Sequence, residues 1–200
     1  MPSVVALLLA AGESRRMGQS KALLPWRGAT LLQYQTAQLL KAGVRRVIVV
    51  LGHEADRLLP LVQGAPGVTA VVNPDYRQGR TTSIRAGLGR APPGCQGVLV
   101  LSVDQPRDAA ILRRLVQKFG RGPKGIVMPA HRGRNGHPAI FAGDLMQEML
   151  AIREETQGLR AVVERHRAEV RPGPFDTPEV LLDINTPEEY RDAVARYGQA

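Results

Sequence analysis

An apolar run near the start of the chain, Val4 to Ala11, passes directly into the glycine- and arginine-containing stretch GESRRMG. Similar short runs rich in β-branched residues recur along the sequence, and amphipathic segments separate them. This alternation is typical of parallel strands joined by helical crossovers. It predicts an α/β fold of three layers (α/β/α), in which a doubly wound, mostly parallel sheet lies between two layers of helices. The length of 200 residues suits a single domain spanning 1–200.

Hydrophobic periodicity, together with the glycines and prolines that end each segment, places the elements along the chain. The predicted strands are Ser3 to Leu9, Arg46 to Leu51, Val68 to Val72, Gly97 to Val103 and Gly125 to Met128. The predicted helices between them are Leu31 to Ala42, Ala55 to Val62, Thr82 to Arg90 and Ala109 to Phe119. Beyond Pro129 the sequence predicts a short strand at Ala139 to Phe141, helices at Leu145 to Ile152 and Leu159 to His166, a strand at VLLDI (180–184) and a last helix from Pro187.

Charge and composition narrow the classes of function. The net charge is +9 and the pI is about 10.5, values that would suit a nucleic-acid-binding protein. The arginines are spread along the chain, however, and aromatic residues make up only 4%, so surfaces on which bases could stack are scarce. The sequence therefore favours small anionic ligands such as NTPs, and we expect no nucleic acid as partner.

The sequence also indicates the compartment. No stretch approaches the ~20 apolar residues of a membrane span, and Val4 to Ala11 lacks the charged flank of a signal peptide. We therefore expect a cytoplasmic protein that makes no membrane contact. Cys95 is the only cysteine, which excludes an intramolecular disulfide and a multi-cysteine metal site.

The first loop carries the strongest chemical signal. In LAAGESRRMGQSKALLPWRG, Gly12 and the cationic Arg16 and Lys21 come soon after the first predicted strand. Backbone N–H groups and cationic side chains at the carboxyl edge of a parallel sheet form an anion site, where such folds bind their ligands. The spacing differs from that of a Walker loop and from GxGxxG. On the residues alone, Lys21 could also be an ordinary solvated loop lysine.

Five segments together resemble the molybdenum cofactor nucleotidyltransferases. The string from Leu9 to Pro25 agrees with that family's L-A-[AG]-G-x-[SA]-x-R-M-G-x-x-K-x-L-L-P signature at nearly every specified position. The others, in the family's order, are GRTTSIRAGL (79–88), VDQP (103–106), GHPAIF (136–141) and LDINTPEEY (182–190). Two positions depart from the usual pattern: Val103 replaces the Gly of GDQP, and Asn185 replaces the second Asp of DIDTPED. The resemblance implies a fold of the nucleotide-diphospho-sugar transferase type and a Mg²⁺-dependent nucleotidyltransferase.

The resemblance and the side-chain charges suggest a catalytic or binding role for each of these residues. Nucleotidyl transfer breaks the bond between the α- and β-phosphates, so the site must neutralise a triphosphate and hold a metal across it. Arg16, Lys21 and Asp104 are the predicted catalytic residues, with Arg16 and Lys21 on the β- and γ-phosphates. Mg²⁺ is expected between Asp104 and Asp183, each at a strand end, with Asn185 as the alternative second ligand. The predicted nucleotide-binding residues are Leu9, Ala10, Ala11, Gly12, Ser14, Arg16, Lys21, Arg80 and Ser83.

The same residues also have ordinary structural interpretations. Asp104 could cap the helix that starts near Asp108, since Asp is a common N-cap. Asp183 could be a surface residue at the end of a strand, and the stretch Thr81 to Ser83 could merely cap a helix. His137 precedes a proline, where a histidine is often only a turn residue.

The resemblance further suggests the substrates. Ala11 stands where guanylyl-transferring relatives have the second glycine of LAGG, and its methyl group would crowd a purine more than a pyrimidine. This favours CTP over GTP, with Arg80 and Ser83 contacting the base. His137 and Arg160 are predicted to bind a molybdopterin-type acceptor, on the face opposite the NTP loop.

The predicted reaction is transfer of CMP from CTP to the phosphate of molybdopterin, with release of pyrophosphate. A molybdoenzyme or its chaperone is the protein partner that such a product implies. Two alternatives stay open: a guanylyl- or other nucleotidyltransferase of the same fold with another phosphorylated acceptor, and an NADPH-dependent oxidoreductase of this family. Retention of Lys21, Asp104 and Asp183 argues against the oxidoreductase, since a hydride carrier needs no metal across a triphosphate.

Overall fold

The computed structural model describes residues 2–198, and within this range the chain forms ten strands and seven α-helices. The strands are β1 (Val4–Ala10), β2 (Pro25–Trp26), β3 (Ala29–Thr30), β4 (Arg46–Leu51), β5 (Val68–Val72), β6 (Gly97–Ser102), β7 (Ile126–His131), β8 (Arg134–Asn135), β9 (Ala139–Ala142) and β10 (Val170–Pro174). The helices are α1 (Leu31–Lys41), α2 (Ala55–Leu58), α3 (Arg80–Leu88), α4 (Ala109–Gly120), α5 (Met146–Leu150), α6 (Leu159–Arg165) and α7 (Pro187–Tyr197).

A mostly parallel sheet forms the centre of the fold. Its strand order is β10-β7-β9-β6-β1-β4-β5, with the short β8 added to β7. The strand β1 pairs in parallel with both β4 and β6, whereas β9 runs antiparallel to both of its neighbours, β6 and β7. The strands β2 and β3 form a separate two-stranded hairpin. The predicted sheet class is therefore confirmed, with one reversed strand inserted between parallel ones.

Each face of the sheet packs against its own layer of helices. Successive side chains of β1 point to opposite faces, so Val4, Ala6 and Leu8 join one core while Val5 and Leu7 join the other. The first core includes apolar residues of α1, α4 and α7, and the second includes residues of α3, α5 and α6. The three-layer α/β/α arrangement predicted from the alternation of strands and helices is confirmed.

Local capping explains where several helices begin. Thr30 accepts a hydrogen bond from the Gln33 N–H, and the Gln33 side chain completes a capping box at the start of α1. At α4 the cap is Asp108, whose carboxylate accepts the Ile111 N–H at 2.9 Å. Asp104 is therefore not the cap of this helix, which leaves its carboxylate available for another role.

One predicted element is wrong. The VLLDI segment is not a strand: a 3-10 helix spans Pro178–Leu181, and Asp183 follows it in an irregular stretch rather than at a strand end. The carbonyl groups of Val180 and Leu182 bond to the buried Arg107 instead of to a neighbouring strand. The strand at this edge of the sheet is β10, next to β7, and the hydrophobic periodicity did not predict it. The prediction of one domain over 1–200 stays a prediction.

Among the helices of residues 2–198, none combines the length and the apolar character that a membrane crossing requires.

Candidate functional site

The site lies at the carboxyl edge of the sheet, where β1, β4 and β6 end side by side. Ala10 at the end of β1 pairs with Leu51 at the end of β4, and Leu9 pairs with Ser102 at the end of β6. A cavity of about 290 Å³ opens at this edge. It is lined by every predicted nucleotide-binding residue except Arg16, namely Leu9, Ala10, Ala11, Gly12, Ser14, Lys21, Arg80 and Ser83, together with Asp104. Residues far apart in the sequence thus meet at the edge where parallel α/β sheets bind ligands.

The first loop folds around Ser14. Its φ of +54° turns the chain, and its carbonyl group accepts the N–H of Met17 at 2.9 Å. The Ser14 hydroxyl accepts the backbone N–H of Lys21 at 3.2 Å, which ties the two ends of the loop together. Met17 is buried and anchors the loop to the core. A Cβ added at Gly12 would meet no protein atom within 4 Å, so the space above this glycine is open to a ligand.

Lys21 forms the centre of a polar cluster. The residue is only 9% exposed, and its Nζ donates to Asp104 Oδ2 at 2.7 Å and to Asn185 Oδ1 at 2.9 Å. Arg16 donates to the same Asn185 oxygen at 3.0 Å. The structure therefore brings together the two predicted cations, one predicted metal ligand and the alternative ligand Asn185. Lys21 is not a freely solvated loop lysine.

The acidic side of the cluster offers oxygen donors. Asp104 Oδ1 is buried and has no hydrogen-bond partner among the described residues. The Ile184 N–H donates to the Asp104 carbonyl at 2.9 Å, which holds the segment bearing Asp183 and Asn185 beside Asp104. Partial desolvation, and then the negative charge of Asp104, raise the pKa of the Asp183 carboxyl group. No group of three or more His, Cys, Asp or Glu side chains in residues 2–198 could hold a metal. The oxygen donors in contact with Lys21 are thus the Asp104 carboxylate and the Asn185 amide oxygen, whereas Asp183 lines a separate depression beside α7.

One wall of the cavity is the start of α3, where Ser83 is buried. Asn73, which sequence reasoning missed, donates from Nδ2 to Ser83 Oγ at 3.0 Å and to Thr82 Oγ1 at 2.9 Å. Ser83 does not cap the helix, because the N-cap is Gly79. The Asn73-Pro74-Asp75 turn directly after β5 is the only signal that could have pointed to this residue. Since Asn73 bonds to the Ser83 oxygen, the Ser83 hydroxyl hydrogen can still reach an acceptor in the cavity.

A second cavity of about 420 Å³ adjoins the first, because Arg80 lines both. The two predicted acceptor residues, His137 and Arg160, lie in it, and no residue of the loop after β1 lines it. Their placement on the face opposite the NTP loop stays a prediction. Burial, and then the charges of Arg80 and Arg107, lower the pKa of His137 to about 4. His137 is therefore neutral at neutral pH.

Glu154 stands at the boundary between these cavities. Its Oε2 accepts the Thr81 N–H at 3.0 Å, in the first turn of α3. A Cβ at Gly79, whose φ is +121°, would lie 2.5 Å from the Glu154 carboxyl carbon. Glycine at this position thus permits the close approach of Glu154.

Arg107 is the largest fully buried side chain and was not predicted as a functional residue. It follows VDQP directly, and its guanidinium group bonds to carbonyl oxygens of GHPAIF and of the segment before Asp183. Nothing in the local pattern marks it, because all but one of its side-chain partners are more than twenty-five positions away along the chain.

Comparison with known proteins gives relatives over nearly the whole chain. The molybdenum cofactor cytidylyltransferase of Escherichia coli K12 is 28% identical over 197 residues, which are 98% of each chain. The molybdenum cofactor guanylyltransferase of Rhodobacter capsulatus is 28% identical and covers 98% of this chain and 97% of its own. Nicotine blue oxidoreductase of Paenarthrobacter nicotinovorans is 38% identical over 154 residues, or 72% of this chain and 74% of its own.

Solved structures share the fold over the same length. A crystal structure of a Mycobacterium tuberculosis H37Rv protein superposes with a TM-score of 0.82 at 28% identity, covering 97% of this chain and 98% of that one. A manganese complex of the same protein gives a TM-score of 0.76 at 27% identity, with coverage of 96% and 98%. Residues 6–170 match the family described as the MobA-like NTP transferase domain. This match extends over most of the chain, from β1 to β10, and the chain therefore belongs to the family of MobA-like NTP transferase domains.

Proposed function

We propose that this chain is a nucleotidyltransferase that moves CMP from CTP to the phosphate of molybdopterin and releases pyrophosphate. The observation that carries the proposal is the pair of adjoining cavities. The first cavity is lined by the loop after β1, whose type suits phosphate binding and which carries Lys21, and by Asp104. The second cavity is lined by His137 and Arg160. Arg80, which lines both, marks the boundary at which an acceptor phosphate would meet the α-phosphate. Relatives named as molybdenum cofactor cytidylyltransferase and guanylyltransferase support this acceptor.

The chain's own cations suit a triphosphate. Lys21 and Arg16 both bond to the neutral Asn185 oxygen, and within residues 2–198 Asp104 is the one carboxylate in direct contact with either cation, through Lys21. Charge-assisted hydrogen bonds from such groups are about twice as strong as neutral ones. The attacking phosphate monoester, with a second pKa near 6, is already ionised at neutral pH, so no general base is required. The neutral imidazole of His137 can orient an acceptor by hydrogen bonding but adds no positive charge to the site.

Asp104 and Asp183, with Asn185 as an alternative, would hold Mg²⁺. The unpartnered buried Oδ1 of Asp104 is the observation that fits a cation, because a buried carboxylate oxygen otherwise finds a donor. Hard oxygen ligands are those that Mg²⁺ prefers. When bound, the metal supplies positive charge across the phosphates of the nucleotide. The manganese complex of a structural neighbour supports a divalent ion of this class.

Ala11 and Ser83 support cytidine as the base. Both line the first cavity and both are at least 90% buried. A pyrimidine leaves room beside the Ala11 methyl group, whereas guanine must place its second ring there. The Ser83 hydroxyl, which already accepts from Asn73, can donate to the carbonyl or ring-nitrogen acceptor of cytosine.

Pyrophosphate release tests the proposal. Purified molybdopterin and either CTP or GTP are supplied with Mg²⁺, and pyrophosphate is measured with a coupled enzyme assay. We expect turnover with CTP, no turnover after chelation of divalent ions, and recovery when Mg²⁺ is returned. Asp104→Asn should abolish turnover, while Asp144→Asn, which removes an exposed carboxylate paired with Lys124, should leave it unchanged.

Two results would contradict the assignment. Turnover of Asp104→Asn within threefold of the parent would exclude a metal-binding role for Asp104. Consumption of NADPH with an electron-accepting substrate, in place of pyrophosphate release, would favour the oxidoreductase alternative suggested by the Paenarthrobacter relative. In the proposed pathway, a molybdoenzyme or its chaperone receives the product.

A further inference from the structure

The buried guanidinium group of Arg107 joins three separate stretches of the chain. Its Nε donates to the His137 carbonyl at 2.9 Å and its Nη1 to the Pro106 carbonyl at 2.8 Å. Its Nη2 donates to the carbonyls of Val180 and Leu182, at 2.8 and 3.0 Å. All of these side-chain partners are backbone oxygens, so the bonds fix the course of the chain rather than another side chain.

Each of the three stretches carries a residue of the proposed site. Pro106 follows the turn that presents Asp104, His137 lines the second cavity, and Leu182 directly precedes Asp183. The turn is fixed from its other side by Gln35, whose Nε2 donates to the Gln105 carbonyl at 2.5 Å. Arg107 is therefore the one side chain in the described part of the chain whose bonds reach all three stretches that carry Asp104, Asp183 and His137.

Charge adds a second link to these bonds. Arg107 has no exposed surface, and this burial lowers the pKa of its guanidinium group to about 10, so the group still carries its charge at neutral pH. The negative charges of Glu179, Asp183 and Asp104 oppose that shift. The positive charge of Arg107 thus interacts with both carboxylates that would hold a metal ion.

The side-chain type matters here. A guanidinium group has five N–H donors in a planar fork, whereas a lysine ammonium group has three donors and no plane. Four bonds to carbonyls in different directions need the fork. Lysine at this position would keep the charge and lose part of the geometry, and methionine would lose both.

We propose that Arg107 is a positioning residue that holds the metal-binding carboxylates and the acceptor-binding His137 in fixed positions relative to each other. This inference rests on the proposed function for the identity of the substrates. The hydrogen bonds of Arg107 that support it are the same whichever nucleotide or acceptor is used. Arg107 touches neither cavity and is not itself a catalytic residue.

The test compares Arg107→Lys and Arg107→Met with the matched control Arg171→Lys. Arg171 also donates to two backbone carbonyls, those of Lys118 and Phe119, but it lies on β10 at the edge of the sheet. Mn²⁺ binding is measured by electron paramagnetic resonance without substrates, and CTP binding is measured by calorimetry without metal. Steady-state kinetics then separate kcat from the KM of the acceptor.

We expect Arg107→Lys to weaken Mn²⁺ binding and to raise the acceptor KM, each by at least fivefold, while metal-free CTP binding changes less than twofold. Arg107→Met, where it folds by circular dichroism, should show larger losses in the same direction, and Arg171→Lys should change none of them. The proposal is overturned if folded Arg107→Lys binds Mn²⁺ and acceptor like the parent, or if Arg171→Lys shows the same losses. If the parent releases no pyrophosphate, the proposed function fails, yet the Mn²⁺ comparison still decides the role of Arg107.

Discussion

Removal of the Lys21 ammonium group should destabilise the fold as well as stop turnover. In Lys21→Met, Asp104 Oδ2 loses its donor at 2.7 Å, while Oδ1 has no hydrogen-bond partner among residues 2–198 even in the parent. The side chains of Lys21 and Asp104 are only 11% and 20% exposed, so water replaces the lost contact poorly. Breaking a buried pair in this way costs about 3–5 kcal/mol, and the residual exposure of Asp104 places the expected cost near ~3 kcal/mol. For a chain of this length that is a fall in Tm of about 6–12 °C.

A double-mutant cycle with Asp104→Asn isolates the interaction. In the double variant, Asp104→Asn removes the negative charge that Lys21→Met leaves without a partner. Its free energy of unfolding should therefore exceed the value expected from adding the two single losses by about 1–2 kcal/mol. Urea unfolding at pH 7, followed by circular dichroism, gives the four free energies of unfolding. Strictly additive losses, or a cost for Lys21→Met below ~1 kcal/mol, would refute the view that the two groups form a buried, mutually dependent pair.

Further predictions concern the base, the charge of the cluster and a surface histidine. Ala11→Gly should raise kcat/KM for GTP relative to CTP by about tenfold, or about 1.4 kcal/mol, and an unchanged ratio in steady-state assays would remove Ala11 from base selection. Asn185→Asp should tighten Mn²⁺ binding by about tenfold and weaken metal-free CTP binding, because it adds a negative charge beside the cations; calorimetry that shows no change in either would disprove this. His166 lies between the carboxylates of Glu169 and Glu148, which raise the pKa of its imidazole group. Its contribution to stability is therefore complete below the unfolded pKa of about 6.5 and is lost as pH rises through the folded pKa. The stability difference between the parent and His166→Gln should shrink from pH 5.5 to pH 9, and a difference independent of pH would show that the ion pairs contribute nothing.

Strong local signals explain which parts of the fold were predictable. The strands β4 and β5 begin and end where the β-branched runs do. An unbroken apolar run fits β4, which is buried on both faces from Val47 onwards, whereas β5 lies at the sheet edge and is only half-buried. The first loop was predictable for a related reason: the loop that carries Gly12 and Lys21 begins directly after such a strand, at an edge that the parallel topology fixes. Their roles in binding stay predictions.

The rest depended on contacts that local patterns do not record. The strand β10 contains Pro172, Gly173 and Pro174, and an edge position next to β7 tolerates these residues because one side needs no partner. The local pattern of the VLLDI segment is typical of a strand, yet two of its carbonyl groups accept hydrogen bonds from Arg107. A buried arginine more than seventy positions away leaves no trace in the sequence around Val180.

The reversed strand β9 brings a segment from later in the chain to the second cavity. Because β9 is antiparallel to β6, its beginning rather than its end lies at the carboxyl edge, with Ala139 opposite Val100. The residues that line the first cavity follow β1, β5 and β6, whereas His137 is delivered to the second by the segment before β9. Substitutions there can reshape one chamber while the loop after β1 stays intact. A protein with this scaffold could thus change the acceptor that it modifies and keep the nucleotide that it consumes.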